Sequence, residues 1–124
     1  MLSWIYSFFQ SPEVTPELKK SIESTINSNK IVIYSKSYCP YCIKAKQIFD
    51  KYSVDYKVIE LNQLQNGSSI QQGLLDITGQ RTVPNIFIDG NHVGGCDQLT
   101  QWYGTGKLRE VLNKLNGINK ESIH

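Results

Sequence analysis

The sequence predicts an α/β fold, and three observations carry that prediction. First, the β-branched run Ile31-Val32-Ile33-Tyr34 leads into an amphipathic segment from Pro40 to about Tyr52, which is followed by the alternating stretch Asp55 to Leu61. Strand, helix and strand in this length form a βαβ unit with parallel strands and a right-handed crossover. Second, Asn85-Ile86-Phe87-Ile88 and His92-Val93-Gly94 flank a turn at Asp89-Gly90-Asn91, so a β-hairpin closes the sheet. Third, the chain has 124 residues, 40% hydrophobic and 19% charged, which suits one globular domain able to bury a core.

The elements follow in order. Residues 1–14 read as an N-terminal apolar extension and linker, and residues 15–124 as the domain. In the extension Trp4, Ile5, Phe8 and Phe9 fall at helical spacing, which suits either a turn packed on the domain or a targeting or membrane-touching segment. Thr15 is the expected N-cap of the first helix, with Pro16 at its first position and Leu18, Ile22 and Ile26 as its apolar stripe. Ile31 to Tyr34 should be a buried, central strand. The helix from Pro40 carries Ile43, Ala45, Ile48 and Phe49 as apolar residues. Ser68, with Gln71 three residues on, resembles a capping box, and Gly79 is a natural stop for that helix. The last helical region should break around Gly104-Thr105-Gly106 and bury Leu108, Val111, Leu112 and Leu115, and the tail from Asn116 to His124 should be frayed.

Charge and cysteine usage narrow the function classes. A formal charge of +2 without a basic run excludes nucleic acid as an expected partner. No apolar run is long enough to span a bilayer, so no stable membrane insertion is expected. Three cysteines are too few, and odd in number, for a secreted disulfide scaffold. They suggest redox chemistry in a reducing compartment, hence a cytoplasmic protein, with a mitochondrial or membrane-associated form open through residues 1–10.

Two of those cysteines form Cys39-Pro40-Tyr41-Cys42 at the junction of strand and helix. A helix N-terminus presents unpaired N–H groups and a partial positive charge, and both stabilise a thiolate. Cys39 falls at or near the N-cap, with the amides of Tyr41 and Cys42 ahead of it and Lys36 three residues behind. It is the expected nucleophile. Cys42, one turn onward and less exposed, is the expected resolving thiol, able to form a redox-active disulfide with Cys39. Pro40 loses nothing at the first helical position. The junction should point the pair outward. Zinc is the competing use of such a pair, but its other ligands would have to come from His92, Cys96 or His124, and no second Cys-x-x-Cys is present. Cys96 is equally readable as a small residue at a tight turn or as a redox thiol.

Cys39-Pro40-Tyr41-Cys42, Thr82-Val83-Pro84 and Gly94-Gly95-Cys96-Asp97, in this order and spacing, resemble a dithiol glutaredoxin from about Thr15 to Leu115. The resemblance implies a thioredoxin fold, a four-stranded mixed β-sheet flanked by helices, with a cis bond before Pro84. It also implies a glutathione site. Val83 would pair its backbone with the cysteinyl part of glutathione, flanked by Thr82 and Pro84. Lys36, Gln71 and Arg81 would approach the glycine carboxylate. Gly95, the Cys96 backbone and Asp97 would hold the γ-glutamyl end, and Tyr41 would line the thiol's pocket. Glutathione is then a co-substrate, no metal is expected, and the partners are glutathionylated or disulfide-containing proteins met by a monomer. Gln71 also reads as a helix cap and Arg81 as a solvated charge. Many members carry a second acid after Asp97, where this chain has Gln98. The activity implied is glutathione-dependent reduction of protein–glutathione mixed disulfides and of protein disulfides. Two rivals share the motif: a thioredoxin-type reductant, and a dimer carrying an iron–sulfur cluster on two Cys39 thiolates, which the Pro40 ring would crowd.

Overall fold

The computed structural model describes residues 12–116. The apolar segment around Trp4 to Phe9 and the tail after Asn116, with His124, lie outside the described residues.

Thr15 Oγ1 accepts a hydrogen bond from the Leu18 amide at 3.0 Å and opens helix α1, Pro16–Ser28, with Pro16 at its start. Strand β1, Ile31–Ser35, is buried along its whole length. Helix α2 runs Pro40–Asp50 and strand β2 Lys57–Glu60, followed by a 3-10 turn at Leu61–Gln63. Helix α3 covers Gly67–Thr78, strands β3 and β4 cover Asn85–Ile88 and Asn91–Gly94, and helices α4 and α5 cover Cys96–Thr105 and Lys107–Asn116. The sheet order is β2-β1-β3-β4. β1 lies parallel to β2 and antiparallel to β3, which pairs antiparallel with β4. This is the mixed, helix-flanked sheet of the thioredoxin fold.

Alternation along β1 builds a core on each face of the sheet. Ile31 and Ile33 join Ala45, Ile48 and Phe49 of α2, Leu99 of α4 and Leu108 and Leu112 of α5. Val32 and Tyr34 join Ile22 and Ile26 of α1 and Ile70 and Leu74 of α3. The hairpin turn has Asp89 at φ 54° and Gly90 at φ 80°, the two left-handed residues of a tight turn that suits strand twist.

Three local expectations are corrected. The helix after β2 starts at Gly67, not behind a Ser68 cap, and Asn66 at its N-cap makes no side-chain capping bond. Gly67 lies so close to the Leu61 carbonyl that tertiary contact sets the start, and the Gln71 amide is drawn away to the Arg81 carbonyl at 2.8 Å. On α2 the buried stripe uses Cys42 with Ala45, Ile48 and Phe49, leaving Ile43 exposed. The Cys pair does not point outward as a unit: Cys39 is half-buried, while Cys42 is 0% exposed.

Candidate active site

The site is assembled where β1 ends. Cys39 is the N-cap residue of α2, with Pro40 as the first helical residue. The loop between them is pinned from two sides. The Cys39 amide donates to the Lys36 carbonyl at 2.9 Å. Asn62, just after β2, accepts from the Ser37 amide at 2.9 Å through Oδ1 and donates to Ser37 Oγ at 2.7 Å through Nδ2. Nothing in the period of the sequence marks Asn62 for this task, because its partner is 25 residues away.

The two thiols are pushed in opposite directions. Partial burial raises the Cys39 thiol, but the amides of Cys42 and Tyr41, the Cys42 thiol and the Lys36 charge outweigh it, and the net shift is downward. These amides act as oriented dipoles, since Cys39 makes no capping hydrogen bond of regular geometry. Burial raises the Cys42 thiol, the neighbouring Cys39 sulfur adds to the rise, and the Lys36 amide and Ser35 hydroxyl only partly oppose it. At neutral pH the exposed-side sulfur therefore carries the greater thiolate fraction, and the buried one keeps its proton. Replacing Lys36 with Gln should move the Cys39 thiol upward. The rate of Cys39 alkylation by iodoacetamide should then fall at pH 7 and converge with wild type at alkaline pH, where both sulfurs are ionised. Unchanged rates across that range would remove Lys36 from the account.

Next to the pair is a cleft of about 440 Å³ lined by Tyr41, Gln80, Thr82, Val83, Pro84, Gly95, Cys96, Asp97 and Gln98. Seven of the residues singled out in the sequence thus share one wall or another of it. The Val83–Pro84 peptide bond is cis. Tyr41, between the two cysteines, is the link to the pair, for Cys39, Cys42, Lys36, Gln71 and Arg81 are not among the lining residues. Lys36 sits behind Cys39, and the Gln71 amide holds the Arg81 backbone while the Arg81 side chain is exposed. Cys96, the first residue of α4, is buried with its Sγ 3.8 Å from Thr100 Oγ1. His92 Nε2 is 2.8 Å from Asn85 Oδ1 and is committed there.

One lining residue, Gln80, escaped the sequence reading, and a second, Gln98, was noted there only for standing where an acid is common. Gln80 Nε2 donates to the carbonyls of Thr82 and Pro84, each at 3.0 Å, and so brackets the loop that carries Val83. No local pattern announces it. Gln98 Oε1 accepts from the Gly95 amide at 3.0 Å and closes the start of α4. Its signal was available: Gly95 with Gln three residues on has the spacing of half a capping box. Gly94, at φ 124°, packs so tightly on Gln98 that a Cβ would stand 3.0 Å from that side chain.

A lowered thiol beside a raised one, on either side of a tyrosine that lines a cleft, can exchange disulfides with a peptide-like thiol. Comparisons with known proteins agree. The Glutaredoxin family model matches residues 31–93. Glutaredoxin-C2 of Arabidopsis thaliana is 45% identical over 93 residues, 75% of this chain and 84% of that protein. Glutaredoxin-C4 of the same organism is 44% identical over 121 residues, 98% of this chain and 84% of that protein. Among solved structures, the buckwheat glutaredoxin–glutathione complex matches with a TM-score of 0.76 at 43% identity, covering 85% of this chain and 99% of that one. The chain therefore belongs to the glutaredoxin family and is a glutathione-dependent thiol–disulfide oxidoreductase.

Proposed function

We propose that this chain binds glutathione in the cleft beside Cys39 and reduces both protein–glutathione mixed disulfides and protein disulfides, with Cys39 as nucleophile and Cys42 as resolving thiol. The observation that carries this reading is the placement of Cys39 as the N-cap of α2 and of buried Cys42 one turn on, either side of Tyr41, which lines that cleft. In the first route the Cys39 thiolate attacks the glutathione sulfur, the protein thiol leaves and takes up a proton, and a second glutathione releases Cys39 as glutathione disulfide. In the second, Cys39 attacks a protein disulfide and Cys42 displaces the mixed disulfide, leaving a Cys39–Cys42 disulfide that two glutathiones reduce.

The cleft suits a tripeptide. Val83 offers its backbone to the cysteinyl residue as an added strand would. From beyond its lining, Lys36 and Arg81 would bring positive charge to the glycine carboxylate, with Gln71 steadying Arg81 through its carbonyl, and Asp97, in the lining, takes the γ-glutamyl amino group. The relative solved with glutathione supports the ligand class.

In an assay coupling a small glutathionyl mixed disulfide to glutathione and glutathione reductase, the protein should turn over. Thioredoxin reductase should not replace the glutathione system. Arg81→Gln and Asp97→Asn should each raise the KM for the mixed disulfide roughly three- to tenfold, the range left to a charge-assisted contact open to solvent. Equal turnover with thioredoxin reductase, or unchanged KM in both variants, overturns the glutathione assignment.

A further inference from the structure

β1 places Ile31 and Ile33 against Ala45, Ile48 and Phe49 of α2. Alternation puts Ser35 next in that column, facing the N-terminal end of α2. Cys42 stands on the buried stripe of α2, three residues before Ala45. Ser35 and Cys42 are both 0% exposed. Among the described residues the Ser35 hydroxyl has no hydrogen-bond partner. Its register partner on β2, Glu60, gives one carboxylate oxygen to Lys46 at 2.7 Å, and the other finds no partner among the described residues, so the carboxylate does not serve the hydroxyl. A buried, unpaired hydroxyl closing a column of isoleucines costs stability and calls for a reason.

That reason lies at the sulfur. Burial opposes ionisation of Cys42, and the Lys36 amide and the Ser35 hydroxyl are the groups within reach that favour it. We propose that Ser35 is a dormant donor for the resolving step: its O–H is idle while Cys42 is a thiol and binds the Cys42 sulfur as that sulfur becomes a thiolate. The inference rests on the reading of Cys42 as the resolving thiol. In that step the Cys42 sulfur attacks the Cys39 sulfur of the Cys39–partner mixed disulfide. The Cys39–partner S–S bond breaks as the Cys39–Cys42 bond forms, and the departing partner thiolate takes up the proton that Cys42 loses. Ser35 keeps its own proton throughout and offsets part of the desolvation that burial imposes on the attacking sulfur. Attack by Cys39 on the original substrate does not involve it.

The test separates the two steps. Reduced protein mixed in stopped flow with one equivalent of 5,5′-dithiobis(2-nitrobenzoate) should release nitrothiobenzoate twice, first as Cys39 is labelled and again as Cys42 resolves it. Ser35→Ala should slow the second release by about fivefold or more, leave the first within about twofold, and keep or raise the melting temperature, because an unpaired hydroxyl has been removed. Ser35→Thr, which keeps the hydroxyl, should recover most of the rate. The proposal is overturned if Ser35→Ala leaves the second release within about twofold of wild type, slows both releases alike, or lowers the melting temperature. It is overturned equally if Ser35→Thr melts as wild type yet resolves as slowly as Ser35→Ala. Cys42→Ser distinguishes the underlying reading: a second release that survives in that variant removes Cys42 as the resolving thiol, whereas its loss there with no effect of Ser35→Ala removes only the role of Ser35.

Discussion

Cys39→Ser is expected to lower turnover of a small glutathionyl mixed disulfide by about a thousandfold or more, because a serine hydroxyl neither ionises near neutral pH nor forms a disulfide. Cys42→Ser is expected to keep half or more of that activity and to lose reduction of protein disulfides. The split follows from the geometry of the two sulfurs. Cys39, at the helix mouth with Lys36 behind it, meets the substrate and is the thiol pushed downward. Cys42, fully buried one turn on and pushed upward, has no access to a free substrate and reaches only a sulfur already joined to Cys39. The measurement is the glutathione-coupled assay run on both variants with both substrates. If Cys42→Ser abolishes the two activities equally, the roles given to the two cysteines are wrong.

Gly67→Ala should destabilise the domain by about 3 kcal/mol, lowering the melting temperature by roughly 10 °C or more. A Cβ on Gly67 would overlap the carbonyl oxygen of Leu61, a backbone atom that cannot swing aside. Leu61 is itself buried, opens the 3-10 turn after β2, and is followed by Asn62, whose two hydrogen bonds to Ser37 hold the loop before Cys39. Relief of the overlap must therefore displace either the start of α3 or the support of the nucleophile. Gly79→Ala is the control. Gly79 closes α3 at φ 81° with no atom of the described residues within 4 Å of where a Cβ would stand, so the left-handed backbone opposes alanine, at about 1 kcal/mol. Thermal unfolding of the two variants should rank Gly67→Ala well below Gly79→Ala. Equal melting temperatures would contradict the close approach at Leu61.

Much of the architecture was legible because it is written in short-range rules. Thr15 followed by Pro16 marks a helix start, and that cap forms. Gly79 marks a helix stop and adopts the left-handed conformation. The β-branched run at Ile31 makes the central strand, and Asp89-Gly90 makes the hairpin turn. Cys39 falls at an N-cap because Pro40 can only begin a helix. Where a short-range rule competed with packing, packing prevailed. Ser68 and Gln71 have the spacing of a cap, but the contact between Gly67 and Leu61 starts the helix one residue earlier, and Arg81 takes the Gln71 amide.

By itself the sequence determined the βαβ unit, the hairpin, the place of Cys39 at a helix mouth and the three short motifs that meet around it. Each element and each motif is written in residues near one another in the chain, while the meeting of the motifs is a matter of tertiary structure. The tertiary structure alone decided which polar groups support them. Asn62 reaches Ser37 across 25 residues, and Gln71 reaches the Arg81 carbonyl across 10. Ser35 becomes a buried hydroxyl with no partner among the described residues only when α2 lies on the β1 column. Contacts between distant segments leave no period in the chain, since the strand pairing and helix packing that create them are fixed by the summed burial of the core and not by the residues that meet.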